Sequence, residues 1–144
     1  MESVIYQATD LKDRRTEVLS RAAAGGALVR AVDGTALVFT RLDQVEADRF
    51  VAGWSLDLHQ AETGRPPLRL RWLRHLDAED RAECLGEFWE ALEDVSAGAD
   101  GRNTFAVALA EWRATALSLA DPTRREVLLG AVTEDEFVPV QPPR

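Results

Sequence analysis

The chain has 144 residues, of which 46% are hydrophobic and 29% are charged, and its formal net charge is −8 at pH 7. This composition is typical of a globular protein with one domain or two small ones, and it argues against a chain that is disordered throughout. The acidic balance excludes a protein that coats nucleic acid without selectivity, because phosphate neutralisation requires clustered Lys and Arg. A local basic face remains compatible with it.

Signals for disulfides, secretion and membrane insertion are sparse. The single cysteine, Cys84, cannot form an internal disulfide. The sequence has neither a signal-peptide core at its N-terminus nor a run of roughly 20 apolar residues. We therefore expect a cytoplasmic protein that has no membrane partner.

The first 24 residues predict a short strand and then a helix. Residues 3–7 are rich in β-branched and aromatic side chains, which favours a strand. A helix over 11–24 follows, with Thr9 or Asp10 as its cap, and Gly25-Gly26 ends it. The apolar side of this helix comprises Leu11, Val18, Leu19 and Ala22.

A hairpin completes this compact unit. Strand-like runs over 27–32 and 35–40 are joined by Asp33-Gly34, a pair suited to the positive φ angles of a type I′ turn. We expect a three-stranded antiparallel sheet with two helices. So small a unit buries too little apolar surface by itself, and we expect it to pair with a second copy.

The remainder of the chain predicts helices. Apolar residues recur at helical spacing from Leu42 to about Ala61, and the paired prolines Pro66-Pro67 then mark a domain boundary. Later helices begin at Asp77, at an Asn103 cap and after Asp121-Pro122. The fold class is therefore α+β, with an all-helical C-terminal domain. The expected domains are a dimerisation module at 1–62, an arginine-rich linker at 63–75, a helical domain at 76–130 and a loose tail at 131–144.

The N-terminal residues resemble a known family. The segment from Ala8 to Leu19, with Ala24-Gly25 and the strand over 35–40, is similar to the N-terminal module of the Phd/YefM (prevent-host-death) antitoxins of bacterial toxin–antitoxin systems. The resemblance implies a homodimer that contacts operator DNA. The DNA-binding residues it implies are Lys12, Arg14 and Arg15, with Arg21 and Arg30 as weaker candidates. Arginine suits this role because it can hold a phosphate or a guanine edge through two parallel hydrogen bonds.

The chain also departs from this family pattern. Two basic residues often precede the hairpin glycine in the family, whereas this chain has Ala31-Val32-Asp33-Gly34. Asp10 and Asp13 lie within a turn of the cations and dilute their attraction to DNA. The alternative is therefore a solvated helix face whose arginines pair locally with Asp13 and Glu17.

The C-terminal half weakly resembles an uncharacterised small helical domain of bacterial proteins, through Glu111-Trp112-Arg113. Its tryptophans and helical periodicity indicate a packed domain, in place of the flexible toxin-binding segment that ends typical antitoxins. An acidic helix face could meet a basic toxin, and the alternative is a solvated face. The candidate partner-binding residues are Glu83, Glu87, Glu90, Trp89 and Trp112, and the same face includes Glu79, Asp80 and Glu93.

Other site types have little support. His59 and His75 lack companions at metal-ligand spacing, and no phosphate-binding loop or activated nucleophile is apparent, so we expect no metal, no cofactor and no enzymatic activity. A rival nucleic-acid surface combines Trp72 with the arginines of the linker, Arg65, Arg69, Arg71 and Arg74. In the alternative, Leu68, Leu70, Trp72 and Leu73 pack inward while these arginines contact the acidic helix that follows.

The leading hypothesis is an antitoxin-type transcriptional repressor. It would bind operator DNA as a homodimer and neutralise a cognate toxin through protein–protein contact. The alternative hypothesis is an oligomeric or protein-interaction scaffold that uses the same dimer module without binding DNA.

Overall fold

The computed structural model describes residues 4–128 and 130, and the fold is α+β, with one small sheet and mostly helices. The described residues form two compact units, one up to Ala52 and the other from Gly53 onward. The predicted N-terminal domain, 1–62, extends past this division, which falls within a long helix. The predicted tail at 131–144 lies outside the described residues.

The first unit begins with a strand, a broken helix and a hairpin. Its elements are β1 (Ile5–Gln7), α1 (Asp10–Asp13), α2 (Arg15–Ala24), β2 (Ala27–Arg30), β3 (Ala36–Phe39) and the start of α3 (Leu42–Glu62). The second unit contains the rest of α3, a 3₁₀ helix (Leu68–His75), α4 (Ala78–Ser96), α5 (Gly101–Ala120) and α6 (Pro122–Leu128).

The sheet is mixed, so the prediction of an antiparallel sheet is wrong. In the strand order β1-β2-β3, Tyr6 on β1 pairs in parallel with Val29 on β2, and Val29 pairs antiparallel with Leu37 on β3. Strands joined by a helical crossover run in the same direction, because the crossover returns the chain to the end at which the first strand began. The helices α1 and α2 form that crossover.

The predicted single helix over 11–24 is interrupted at Arg14, whose backbone adopts φ −124° and ψ 33°. Thr9 precedes α1 but its side chain makes no capping hydrogen bond. The Asp10 carboxylate instead accepts a hydrogen bond from the Gln7 backbone N–H, at 2.7 Å. The first helical turn is therefore tied back to β1.

The hairpin turn also differs from the prediction. Asp33 does not adopt a positive φ, whereas Gly34 does, at 89°, and the Gly34 N–H donates to the Ala31 carbonyl at 2.9 Å. This geometry excludes a type I′ turn, which needs positive φ at both central residues, and fits a three-residue loop with glycine in the left-handed position. The Asp33 carboxylate stabilises the loop by accepting a hydrogen bond from the Thr35 N–H.

One face of the sheet is buried against a helix, and the opposite face is partly exposed. The buried face packs against α2 and forms a small core. Leu11 and Phe39 pack at the margin of this core. Its buried members are Tyr6, Val18, Ala22, Ala27 and Val29. The opposite face carries an apolar row, Ile5, Leu28 and Val38, aligned by the strand register. Val38 is 70% exposed and Ile5 is 44% exposed. We call these three residues the open sheet row.

The second unit has a larger core built on aromatic residues. The ring of Phe105 on α5 lies 4.5 Å from that of Trp54 and 4.9 Å from that of Phe88, between centroids. Trp54 belongs to α3, and this packing explains why the end of α3 belongs to the second unit.

The helix ends agree with the prediction at two places. Asp77 caps α4 by accepting from the Asp80 N–H, and Asp121 caps α6 by accepting from the Thr123 N–H. The predicted Asn103 cap is wrong, because α5 already begins at Gly101.

Candidate nucleic-acid interface and partner surface

Arg14 lies at the break between α1 and α2 and is engaged by its neighbours. Its Nε donates to Glu17 Oε2 at 2.9 Å, and its second terminal nitrogen donates to Glu17 Oε1 at 2.5 Å. The guanidinium carbon lies 5.4 Å from the centroid of the Tyr6 ring. The edge of the guanidinium formed by Nε and this terminal nitrogen, one of the two edges that suit a phosphate, therefore already holds a carboxylate.

The Tyr6 hydroxyl completes this group by donating to Glu17 Oε1 at 3.1 Å. The hydrogen bond from Arg14 lowers the pKa of Glu17, and the hydrogen bond to Glu17 raises the pKa of Arg14. Burial and the Glu17 hydrogen bond both raise the pKa of Tyr6. Glu17 is thus an anion and Arg14 a cation in neutral solution. We call these three residues the Tyr6 cluster.

The other four predicted DNA-binding residues are exposed, and they form no ion pair with any of the described residues: Lys12, Arg15, Arg21 and Arg30. Lys12 lies on α1, while Arg15 and Arg21 lie on α2, about 120° apart around the helix axis. We call Lys12, Arg15 and Arg21 the helical cations.

Arg30 does not join the helical cations. It follows Val29, whose side chain packs against α2, and successive side chains of a strand point to opposite faces. Arg30 is therefore on the open face of the sheet, opposite Gln7 and Ala36 in the register. A single flat DNA surface cannot use Arg30 and the helical cations of one protomer together.

Charge is distributed unevenly between the units. Up to Ala52 the chain has seven Lys and Arg against eight Asp and Glu, and from Gly53 onward it has ten against seventeen. Most of the net negative charge therefore belongs to the second unit. The first unit, which contains the predicted DNA-binding residues, is therefore nearly neutral in net charge.

The predicted partner-binding carboxylates are on α4, where Glu83, Glu87 and Glu90 are exposed. The tryptophans are half-buried and their indole N–H groups are paired. Trp89 donates to Glu62 Oε1 at 2.7 Å, and Trp112 donates to Glu87 Oε2 at 3.0 Å. Only Glu87 of the predicted partner-binding carboxylates is therefore held by a tryptophan, because the acceptor for Trp89 lies on α3.

The linker arginines do not form a stacking surface around Trp72. This ring is only 8% exposed, and its N–H donates to the Arg69 carbonyl at 2.9 Å. Arg69 pairs with Asp57 on α3 and lies over the Trp54 ring, 3.4 Å from the centroid. The prediction that this arginine contacts the acidic helix α4 is therefore wrong.

The inward packing predicted for the linker is confirmed in part. Leu70, Trp72 and Leu73 are buried, whereas Leu68 is 77% exposed. Arg65, Arg71 and Arg74 are exposed. The 3₁₀ helix is thus part of the packed second unit, with Leu68 and its arginines exposed.

Metal-binding clusters and membrane-spanning helices are both absent from the described part of the chain. Residues 4–128 and 130 bring together no group of three or more His, Cys, Asp or Glu side chains suited to a metal ion. None of the helices in that same part combines the length and apolar character of a membrane span. Comparison with family models, with curated proteins and with solved structures found no match to this chain.

Proposed function

We propose that this protein is an antitoxin-type transcriptional repressor that binds operator DNA as a homodimer and neutralises a cognate toxin through protein–protein contact. The observation that carries the proposal is the exposure of the helical cations, which have no ion-pair partner among the described residues. They belong to a strand, helix and hairpin in the element order that the family resemblance implies. Free guanidinium and ammonium groups are what phosphate binding requires.

The open sheet row supports the homodimer. A core of five buried side chains is small for an independent unit, and apolar side chains on the opposite face stay in contact with water. A second copy that covers Ile5 and Val38 would remove this apolar surface from water. It would also place two sets of helical cations in one particle, as a two-fold operator requires.

The α4 carboxylates support a basic partner. A toxin that acts on RNA must carry a positive surface, and Glu83, Glu87 and Glu90 are exposed to meet one. The hydrogen bond from Trp112 fixes the direction of Glu87. A fixed carboxylate loses less conformational entropy on binding than a free one.

A scaffold that does not bind DNA is the second candidate. It is favoured by the Tyr6 cluster, which occupies Arg14, and by the position of Arg30 on the opposite face of the sheet. Under this alternative the dimer and the acidic surface of α4 remain, and the helical cations only keep the protein soluble.

The salt dependence of DNA binding separates these candidates. Fluorescence anisotropy would measure the affinity for the DNA upstream of the protein's own gene at several salt concentrations. The variant Arg15→Ala/Arg21→Ala removes two helical cations, and Arg49→Ala/Arg113→Ala is the matched control, since those arginines are also exposed and unpaired among the described residues.

The repressor proposal predicts a flatter logarithmic salt slope for the first variant, by about 0.9 unit for each phosphate that the variant no longer neutralises. The control should reproduce the wild-type slope. Equal slopes for both variants would show that Arg15 and Arg21 do not contact DNA phosphates. Absence of binding by the wild-type protein would favour the scaffold.

Toxin neutralisation needs its own test. The protein encoded next to this gene would be co-purified with the wild-type chain and with Glu83→Lys/Glu90→Lys. A basic partner should be retained by the wild-type chain and lost from the variant, while Glu46→Lys/Glu126→Lys, at exposed sites outside α4, should retain it. Retention by every variant would contradict the role of α4.

A further inference from the structure

Glu17 presents its carboxylate to Arg14 as a phosphate would. The two nitrogens of the guanidinium donate to the two oxygens of one anion, through bonds of 2.9 Å and 2.5 Å. This side-by-side pairing is the geometry in which arginine recognises phosphate. The other nearby carboxylate, Asp10, is 4.0 Å from Arg14 and makes no such pair.

The Glu17 carboxylate is itself held in place. The hydroxyl of Tyr6 donates to Oε1, and Tyr6 is 2% exposed within the core of the first unit. Glu17 lies on α2, one helical turn before Arg21, which carries no ion pair with the described residues. The anion is therefore fixed to the rigid part of the module, beside the cations assigned to DNA.

We propose that Glu17 is an intramolecular competitor for nucleic-acid phosphate, which occupies Arg14 and holds the DNA affinity of the module below what its cations could reach. The inference rests on the proposed function, because it concerns the same DNA surface. It assigns Glu17 a contact that limits the contribution of Arg14 to DNA binding.

The physical basis is an exchange of one anion for another. A phosphate that takes this same edge of Arg14 must displace a carboxylate that already has two guanidinium hydrogen bonds and one from Tyr6. The exchange yields no net hydrogen bond to Arg14, and the displaced carboxylate repels the phosphate. The contribution of Arg14 to DNA affinity is thereby reduced.

The experiment compares Glu17→Gln with Glu46→Gln in the DNA-binding titration described above. Both changes remove one negative charge from the first unit, but Glu46 is exposed on α3 and engages no cation among the described residues. Glu17→Gln should steepen the salt slope by about 0.9 unit for each protomer bound, because Arg14 then neutralises one further phosphate. Glu46→Gln should leave the slope as in the wild type.

A double-mutant comparison assigns the gain to Arg14. Arg14→Ala should cost more DNA affinity in the Glu17→Gln background than in the wild-type background. Equal losses in the two backgrounds would overturn the inference, as would equal slopes for Glu17→Gln and Glu46→Gln when the wild type binds. If neither the wild type nor Glu17→Gln binds DNA, both the inference and the repressor proposal fail.

A second measurement does not depend on DNA. Tyr6 is the sole tyrosine in the chain, so the ultraviolet absorbance of tyrosinate reports on this cluster alone. Burial raises the pKa of Tyr6 most, and the hydrogen bond to Glu17 and the Glu17 charge raise it further. Glu17→Gln should lower the alkaline midpoint of this titration, and an unchanged midpoint would contradict the cluster geometry.

Discussion

Two arginines that the sequence assigned to nucleic acid are each engaged by one carboxylate and one aromatic ring. Arg14 is held by Glu17 and Tyr6, and Arg69 is held by Asp57 and Trp54. The first carboxylate is three residues from its arginine, so helical spacing could suggest it. The second is 12 residues away, and only the packing of the 3₁₀ helix on α3 brings the pair together.

At the same scale, Cys84 should be chemically inert in the folded protein. Burial raises the pKa of this thiol to about 12, so the reactive thiolate is scarce in neutral solution. A thiol-specific chromogenic reagent should therefore react only as denaturant unfolds the second unit. Rapid reaction of the native protein, at the rate of the fully unfolded chain, would contradict the buried position.

The elements of the fold were predictable where a long pattern defines them. The helices α3 and α4 follow the apolar periodicity closely, since each spans about five turns. The three residues of β1 do not themselves indicate its direction, but the helix predicted between β1 and β2 already favoured a parallel pair, which the antiparallel prediction overlooked. The break at Arg14 and the three-residue hairpin loop were also missed, although the hydrogen bonds of Arg14 with Glu17 and of Asp33 with Thr35 are local in sequence.

The pairing of α4 with α5 yields opposite predictions for two glycines. A Cβ at Gly101 would lie 2.2 Å from the Ala91 carbonyl oxygen, whereas a Cβ at Gly86 meets nothing within 4 Å. Gly101→Ala should destabilise the protein by about 1–3 kcal/mol, because the two helices must separate. Gly86→Ala should stabilise it by about 0.5–1 kcal/mol through helix propensity.

Urea unfolding followed by circular dichroism measures both changes against the wild type. Each variant serves as the control for the other, since both replace glycine by alanine in the same helical pair. Equal effects of the two substitutions would show that α4 and α5 do not approach so closely at Gly101.

The hairpin should lose stability in acid. The Thr35 N–H donates to the Asp33 carboxylate, and this hydrogen bond lowers the pKa of Asp33 below its ordinary 3.8. Its stabilisation is therefore complete above that ordinary value and is lost as pH falls through the lower folded value. Amide exchange of Thr35 should accelerate over this range relative to Asp33→Asn, which keeps the acceptor oxygen. The same pH response in both proteins would remove Asp33 as the cause.

For the whole molecule, the exposed open sheet row predicts that the protein is a dimer. Val38→Asp places a charge on the row, while Val32→Asp places the same charge in the hairpin loop, where Val32 is 97% exposed. Sedimentation should find a dimer for the wild type and for Val32→Asp, and a monomer for Val38→Asp, because a buried unpaired carboxylate opposes association. If all three proteins are dimers, the dimer interface does not include Val38.

For the whole molecule, the repressor proposal requires selective recognition of DNA. Under this proposal, the acidic second unit repels nucleic acid in general, and affinity comes from a limited set of cations placed in register with one sequence. A repressor of this kind differs from a scaffold in preference for its own upstream DNA, not in attraction to polyanions.

The most direct test is an anisotropy titration of the wild-type protein with two duplexes of equal length and composition, at about 0.15 M salt. One is the DNA upstream of its own gene and the other is a shuffled sequence. The repressor account predicts an affinity at least about 10³-fold higher for the upstream duplex. Equal affinity for the two duplexes, or no binding to either, would contradict it.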